Sequence, residues 1–176
     1  IIFLKIKIID LRYLMTKCFS TPDLSDNYPN NIQIGKTLFN SYGAVSSFSG
    51  QVETISCADD NSLVKEILNN NGEGKVLVID AQGVEHASMV GDQIALRAYE
   101  NNWSGILING AVRDVQILSS ISIGIFAKSS IPMKTDKNNL GSRSVDLFFG
   151  NVMIKPGNWL YADSNGWVIS NKELEF

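Results

Sequence analysis

The chain has 176 residues, 44% hydrophobic and 19% charged, with a formal net charge of −3. That length and apolar content fit one domain with a sizeable core, and the acidic balance argues against a surface that binds nucleic acid directly. Cys18 and Cys57 lack metal-ligand spacing and a single histidine, His86, argues against a histidine-built zinc site, so the cysteines read as free thiols of a reducing, cytoplasmic compartment.

Residues 1–14 are apolar but carry Lys5, Lys7, Asp10 and Arg12. They are too short and too charged for a transmembrane span, and the charges interrupt the apolar stretch of a secretory signal. Met15 is expected to be the natural start, with 1–14 an upstream extension and 15–176 the folded domain. The alternative is an extra strand or helix packed on that domain. Ser20-Thr21-Pro22-Asp23 predicts a helix start: a hydroxyl cap, proline in the first turn, then an acid. Asp26 reads as part of a solvated face or cap. Residues 52–57 alternate apolar and polar, as a half-buried strand does, and Gly50 before them is expected to mark a bend or bulge. Asp59-Asp60-Asn61-Ser62 supplies caps for a helix bearing Leu63, Val64, Ile67 and Leu68 on one face. Residues 76–79 are a buried strand. His86, further on, reads as structural or exposed rather than catalytic.

The densest chemistry lies between Gly91 and Asp114. Gly91-Asp92-Gln93-Ile94 reads as a helix start, with Ala95, Leu96, Ala98 and Tyr99 on one face and Asn101-Asn102 as the stop. Gly91 has no Cβ and is expected to let a ligand approach the backbone. The N–H groups after it lack intrahelical partners and sit at the positive end of the helix dipole. Residues 106–108 form a short apolar run between Gly105 and Gly110, which suits a buried strand. Arg113 and Asp114 follow at the carboxyl end of that strand, where α/β sheets usually place ligands. Brought together, these groups make an anion-binding corner, with Asp92 and Asp114 able to hold a hard cation. The alternative is that Asp114 only caps a short helix over 115–119 and Asp92 only decorates a helix start.

Beyond Asp114, Val115, Ile117 and Leu118 form an apolar face, and 124–128 is a further strand. Ile131-Pro132 opens a polar loop over 134–143, a candidate lid. Residues 145–149 and 151–154 read as strands around Gly150. Residues 159–162 and 167–169 flank a tight turn at Asp163-Ser164-Asn165-Gly166, where Asn-Gly meets the need for positive φ. Trp159 and Trp167 read as core or interface. The whole is a single compact α/β domain with a mixed sheet.

Gly91-Asp92, then Arg113-Asp114 with residues 93–112 between them, resembles the signature of the class II 4-hydroxy-4-methyl-2-oxoglutarate aldolases and of their relatives, the regulator of ribonuclease activity A proteins. Gly74-Lys75-Val76-Leu77-Val78-Ile79-Asp80, the run from Trp103 to Asp114, Pro156-Gly157-Asn158 and Tyr161-Ala162-Asp163-Ser164-Asn165-Gly166 extend the resemblance over about 16–170. It implies a swivelling β/β/α (phosphohistidine-domain-like) architecture and a homotrimer with sites at subunit boundaries. It implies that Asp114 binds Mg²⁺ or Mn²⁺, that Arg113 grips an oxygen of a small 2-oxo acid, and that the N–H groups of Gly91, Asp92, Gln93 and Ile94 hold its carboxylate. Asp92 would relay a proton. The implied reactions are retro-aldol cleavage to pyruvate and oxaloacetate decarboxylation, through a shared pyruvate enolate. The family also contains non-catalytic regulators that bind and inhibit a ribonuclease E-type endoribonuclease. Those typically lack acids at the positions of Asp92 and Asp114. This chain departs from the aldolase pattern at Ile117, where an acid is usual, and offers only Gly83 in a turn that is usually glycine-rich. No membrane partner is implied.

Overall fold

Residues 18–176 are described by a computed structural model; the expectations for 1–14 and for a start at Met15 fall outside the described residues. The helices are α1 (Thr21–Asn27), α2 (Ser62–Leu68), α3 (Asp92–Glu100) and α4 (Val115–Leu118). The first six strands are β1 (Ile32–Ile34), β2 (Asn40–Ser41), β3 (Phe48–Ser56), β4 (Val76–Asp80), β5 (Ser88–Val90) and β6 (Gly105–Val112). The rest are β7 (Gly124–Ser130), β8 (Ser142–Arg143), β9 (Leu147–Phe149), β10 (Val152–Ile154), β11 (Trp159–Asp163) and β12 (Gly166–Ser170). Among the described residues, no helix is long and apolar enough to cross a membrane.

The main sheet runs β1-β12-β11-β3-β4-β6-β7-β2, with β5 beside β6 and β8 beside β3. β3, β4, β6 and β7 are parallel neighbours. The antiparallel pairs β11–β3 and β2–β7 flank them, so the sheet is mixed. Apolar strands without alternation form where both faces of a sheet are covered. In β4, Leu77 and Ile79 enter one core with Val64, Leu68, Ala95 and Leu118 of the helices. Val76 and Val78 enter a second core with Leu147 and Phe149 of β9, Ile154 of β10 and Trp167. The result is a helix layer, the parallel centre of the mixed sheet and a second β layer.

A third, smaller core seats α1 on the β11–β12 hairpin through Leu24, Tyr161 and Val168. Asp163 fastens it, accepting from Thr21 N and Thr21 Oγ1, both at 2.7 Å. The same carboxylate accepts from Asn165 N at 2.8 Å and shapes the hairpin turn. Positive φ falls on Gly166, at 146°, and not on Asn165.

Several expectations are corrected. Gly50 pairs with Leu160 in an unbroken register, so it marks no bulge. Its lack of a Cβ makes room for the Gly74 carbonyl oxygen, which would lie 2.3 Å away. On α3 only Ala95 and Ala98 are buried, while Leu96 and Tyr99 are 45% and 41% exposed. Those two stand about 100° round the helix from their neighbours, beyond the narrow stripe that meets the sheet. On α4 only Leu118 is buried. β6 is eight residues long, far beyond the run 106–108.

Candidate active site

β5 and β6 are parallel neighbours, with Val90 opposite Val112. The residues that follow each strand therefore emerge at one edge. Arg113 N donates to Val90 O at 3.0 Å and ties the two ends together. After β5 the chain turns at Gly91 into α3; after β6 it continues through Arg113 and Asp114 into α4. The corner predicted from spacing thus forms through strand pairing.

Asp114 adopts the left-handed conformation, φ 58° and ψ 37°. A non-glycine residue there carries strain of about 1 kcal/mol, although Asp tolerates it better than most. It is the N-cap residue of α4, its carbonyl accepting from Ile117 N and Leu118 N, but its side chain makes no capping bond and is turned to other partners. Its Oδ2 lies 3.2 Å from Arg113 Nε and accepts from Asp92 N at 3.4 Å. Gly91 is extended, at φ −124° and ψ −171°, a backbone any residue adopts. What it provides is space: a Cβ there would stand 2.7 Å from Asp114 Oδ2 and 3.1 Å from Arg113 Nε. The expected approach by a ligand is, in the structure, an approach by the protein's own Arg113–Asp114 pair. Gln93 N donates to Asp92 Oδ1 at 2.7 Å. Two helix-start donors thus face carboxylates, as the dipole favours.

Gly91, Asp92, Gln93, Ile94 and Arg113 share the wall of a cavity of about 130 Å³. Lys65, Arg97, Lys134 and Lys137 line the same cavity. Five cationic side chains and one carboxylate therefore surround it, in a chain whose formal charge is −3. A concave site lined by one sign of charge concentrates ligands of the opposite sign. Sequence reasoning missed Lys65, Arg97, Lys134 and Lys137, as well as the lining residues Asn61 and Thr135. One signal was available: Asn61 and Lys65, like Gln93 and Arg97, are four apart and share a helix face.

The polar loop 134–143 supplies Lys134, Thr135 and Lys137 to the cavity wall. Asp60 fixes it in place. Its Oδ2 accepts from Asn138 N and Leu140 N, while Oδ1 accepts from Ser62 N at 2.8 Å. Burial pushes the Asp60 carboxyl up, but the bonds from Ser62, Asn138 and Leu140 outweigh it and hold the group below its ordinary range. His86 stands outside the cavity lining, bonded to Asp59 at 2.9 Å.

No group of three or more His, Cys, Asp or Glu side chains is arranged for a metal among the described residues. A hard cation such as Mg²⁺ needs less: one or two carboxylates, with waters and substrate oxygens completing the octahedron. Asp114 Oδ2 is engaged by Arg113 and Asp92, and Oδ1 accepts no hydrogen bond among the described residues. The donor set fits such a cation and does not fit a structural zinc.

Fold and site define a class: a mixed α/β protein with a cation-lined cavity where two parallel strands end. A family model described as Aldolase/RraA matches residues 21–169, and the chain belongs to this RraA-like family. A relative from Ectopseudomonas mendocina (strain ymp), named "Putative 4-hydroxy-4-methyl-2-oxoglutarate aldolase", is 45% identical over 156 residues, covering 89% of this chain and 96% of the relative. The solved structure of the RNA-processing inhibitor RraA from Thermus thermophilis superposes with a TM-score of 0.87 at 34% identity, covering 90% of this chain and 96% of the other. A Geobacillus kaustophilus HTA426 structure, described as an S-adenosylmethionine: 2-dimethylmenaquinone methyltransferase, also has a TM-score of 0.87, at 37% identity, covering 89% and 97%.

Proposed function

We propose that this chain is a divalent-metal-dependent carbon–carbon lyase that cleaves 4-hydroxy-4-methyl-2-oxoglutarate-type substrates and decarboxylates oxaloacetate. The observation that carries the reading is that the α3 start and Arg113 line one cationic cavity, with Asp114 paired to Arg113 and Asp92 N beside it. The Ectopseudomonas relative's name supports it. Arg113 and the N–H groups from Gly91 to Ile94 bind the 2-oxo acid end as an anion, which displaces the Asp114 and Asp92 carboxylates from Asp92 N and Gln93 N. Asp114 would hold Mg²⁺ or Mn²⁺, which would supply Lewis-acid stabilisation of charge on the 2-oxo oxygen. Asp92, beside the same N–H groups, accepts the 4-hydroxyl proton through water. As that proton leaves, the 4-hydroxyl carbon becomes a carbonyl, the C3–C4 bond breaks and its electron pair passes to C3. C3 then takes a proton, giving pyruvate. With oxaloacetate the same bond releases carbon dioxide.

The site is proposed to complete itself in a homotrimer. Half-exposed Leu96, Tyr99 and Ile117 line a groove of about 410 Å³ that shares Asp92 and Gln93 with the cavity, a surface suited to a second copy. Light scattering of the purified protein tests this, and a monomer refutes it. The methyltransferase description fits the cavity poorly, because five cationic side chains oppose a sulfonium cofactor. The Thermus relative supports a second reading, an inhibitor of RNA processing acting through a ribonuclease E-type partner. Pull-down with that endoribonuclease and an inhibition assay test it.

The deciding experiment is pyruvate release from oxaloacetate with and without Mg²⁺, against Asp114→Ala and an enzyme-free blank. The expected result is metal-dependent turnover above the blank that Asp114→Ala abolishes. Turnover no faster than the blank, from a folded protein with metal present, overturns the lyase reading.

A further inference from the structure

Two buried polar atoms, on residues that line the cavity, have no hydrogen-bond partner among the described residues: Asn61 Oδ1 and Thr135 Oγ1. Both residues are buried, at 9% and 3% exposure, and both line the cavity shared with Arg113. Buried polar groups are normally paired, and an orphan costs stability. Asn61 Nδ2 donates to Met89 O at 3.1 Å. A carbonyl accepts only from the NH₂ side, so this bond fixes the amide and leaves Oδ1 as the free acceptor. Thr135 is carried on the loop that Asp60 holds through Asn138 and Leu140.

The chemistry of the two atoms restricts what satisfies them. Asn61 Oδ1 only accepts, so it needs a donor. Thr135 Oγ1 donates as well as accepts. A carboxylate answers Thr135 but not Asn61. An ammonium answers Asn61, but the five surrounding cations oppose it. An alcohol answers both. Lys65 and Lys137, in the same cavity, suit an anionic group beside that alcohol. We infer that Asn61 and Thr135 hold the hydroxyl on the carbon cleaved from C3 as the substrate binds, its proton turning from Asn61 Oδ1 to the water of Asp92 before cleavage, and so select 4-hydroxy-2-oxo acids. This rests on the lyase reading.

Oxaloacetate carries no hydroxyl at that carbon, so the two reactions separate the inference from the reading beneath it. The experiment measures kcat/KM for 4-hydroxy-4-methyl-2-oxoglutarate cleavage and for oxaloacetate decarboxylation on one Mg²⁺-loaded preparation of each protein. Their ratio is independent of the folded fraction. Thr135→Val is nearly isosteric and removes an oxygen that bonds nothing in the protein. It is expected to lower the cleavage-to-decarboxylation ratio about tenfold. Thr135→Ser is expected to restore it, and Asn61→Ala to lower it similarly. A ratio unchanged in Thr135→Val and Asn61→Ala overturns the inference, whether both activities persist or both fall together. A wild-type protein inactive on both substrates overturns the lyase reading, and the inference with it.

Discussion

Gly91→Ala is the sharpest test of how the corner is built. The backbone at 91 is extended and accepts alanine without strain. The whole effect therefore comes from one methyl group placed 2.7 Å from Asp114 Oδ2, 3.1 Å from Arg113 Nε and 3.2 Å from Arg113 Cγ. Reaching ordinary contact requires Asp114 to retreat by roughly 0.7 Å, and Arg113 by less. Both side chains are only partly buried, at 37% and 33% exposure for Arg113 and Asp114, so they move cheaply. Adding the small loss from alanine at a helix N-cap, the stability cost is about 1 kcal/mol. That lowers Tm by about 2–4 °C in a chain of this size. Function is less forgiving: displacement of a reacting group by about 1 Å costs on the order of 10²-fold in rate. The expected result is a large fall in Mg²⁺-dependent pyruvate release with a nearly unchanged circular-dichroism melting curve. Activity within twofold of wild type would refute the packing argument. So would an activity loss matched by collapse of the melting transition.

Asp60→Ala strands Ser62 N, Asn138 N and Leu140 N and is expected to cost about 2–4 kcal/mol by urea unfolding. Because the Asp60 carboxyl is held below its ordinary value, its stabilisation is complete above the unfolded value and is lost as pH falls through the folded one. Wild type should therefore lose stability below about pH 4, and Asp60→Ala should show a flatter acid limb. Burial, with the charges of Asp60 and Asp80, pushes the Cys57 thiol up to about 12, whereas Cys18 is exposed. A disulfide-exchange reagent at pH 8 should modify Cys18 alone until the protein is denatured; two fast thiols in the native protein would contradict this. Trp167, 2% exposed, packs on Phe39 and Phe149 and donates to Thr37 O at 2.9 Å. Trp167→Ala should cost about 3–5 kcal/mol, read from the same urea curves.

The sequence exposes β4 well because its unbroken apolar run reports two covered faces at once. The meeting of Gly91 with Arg113 and Asp114 was readable because a helix and a strand account for the residues between them. Other features depend on partners far along the chain. β1 has three residues and pairs with β12, Ile32 opposite Ser170, so no local pattern announces it. The strands β2, β5 and β8 are no longer than that. Helical period alone put Leu96 and Tyr99 with Ala95 and Ala98, but it could not show how narrow the sheet's contact with α3 is. Lys65, Arg97 and Lys134 arrive from α2, α3 and the loop after β7. Their convergence is a property of tertiary structure, and each in isolation reads as a solvated charge.

The grip of Asp60 on the loop after β7 is made through main-chain N–H groups alone. Such a clasp is blind to side-chain identity. Almost any residue can stand at 138 or 140 and still be caught, so the loop's exterior can drift freely while Thr135 keeps its place in the cavity wall. Proline is the exception, because it has no N–H to offer. Diversity of sequence and constancy of shape are compatible here, with a single carboxylate between them.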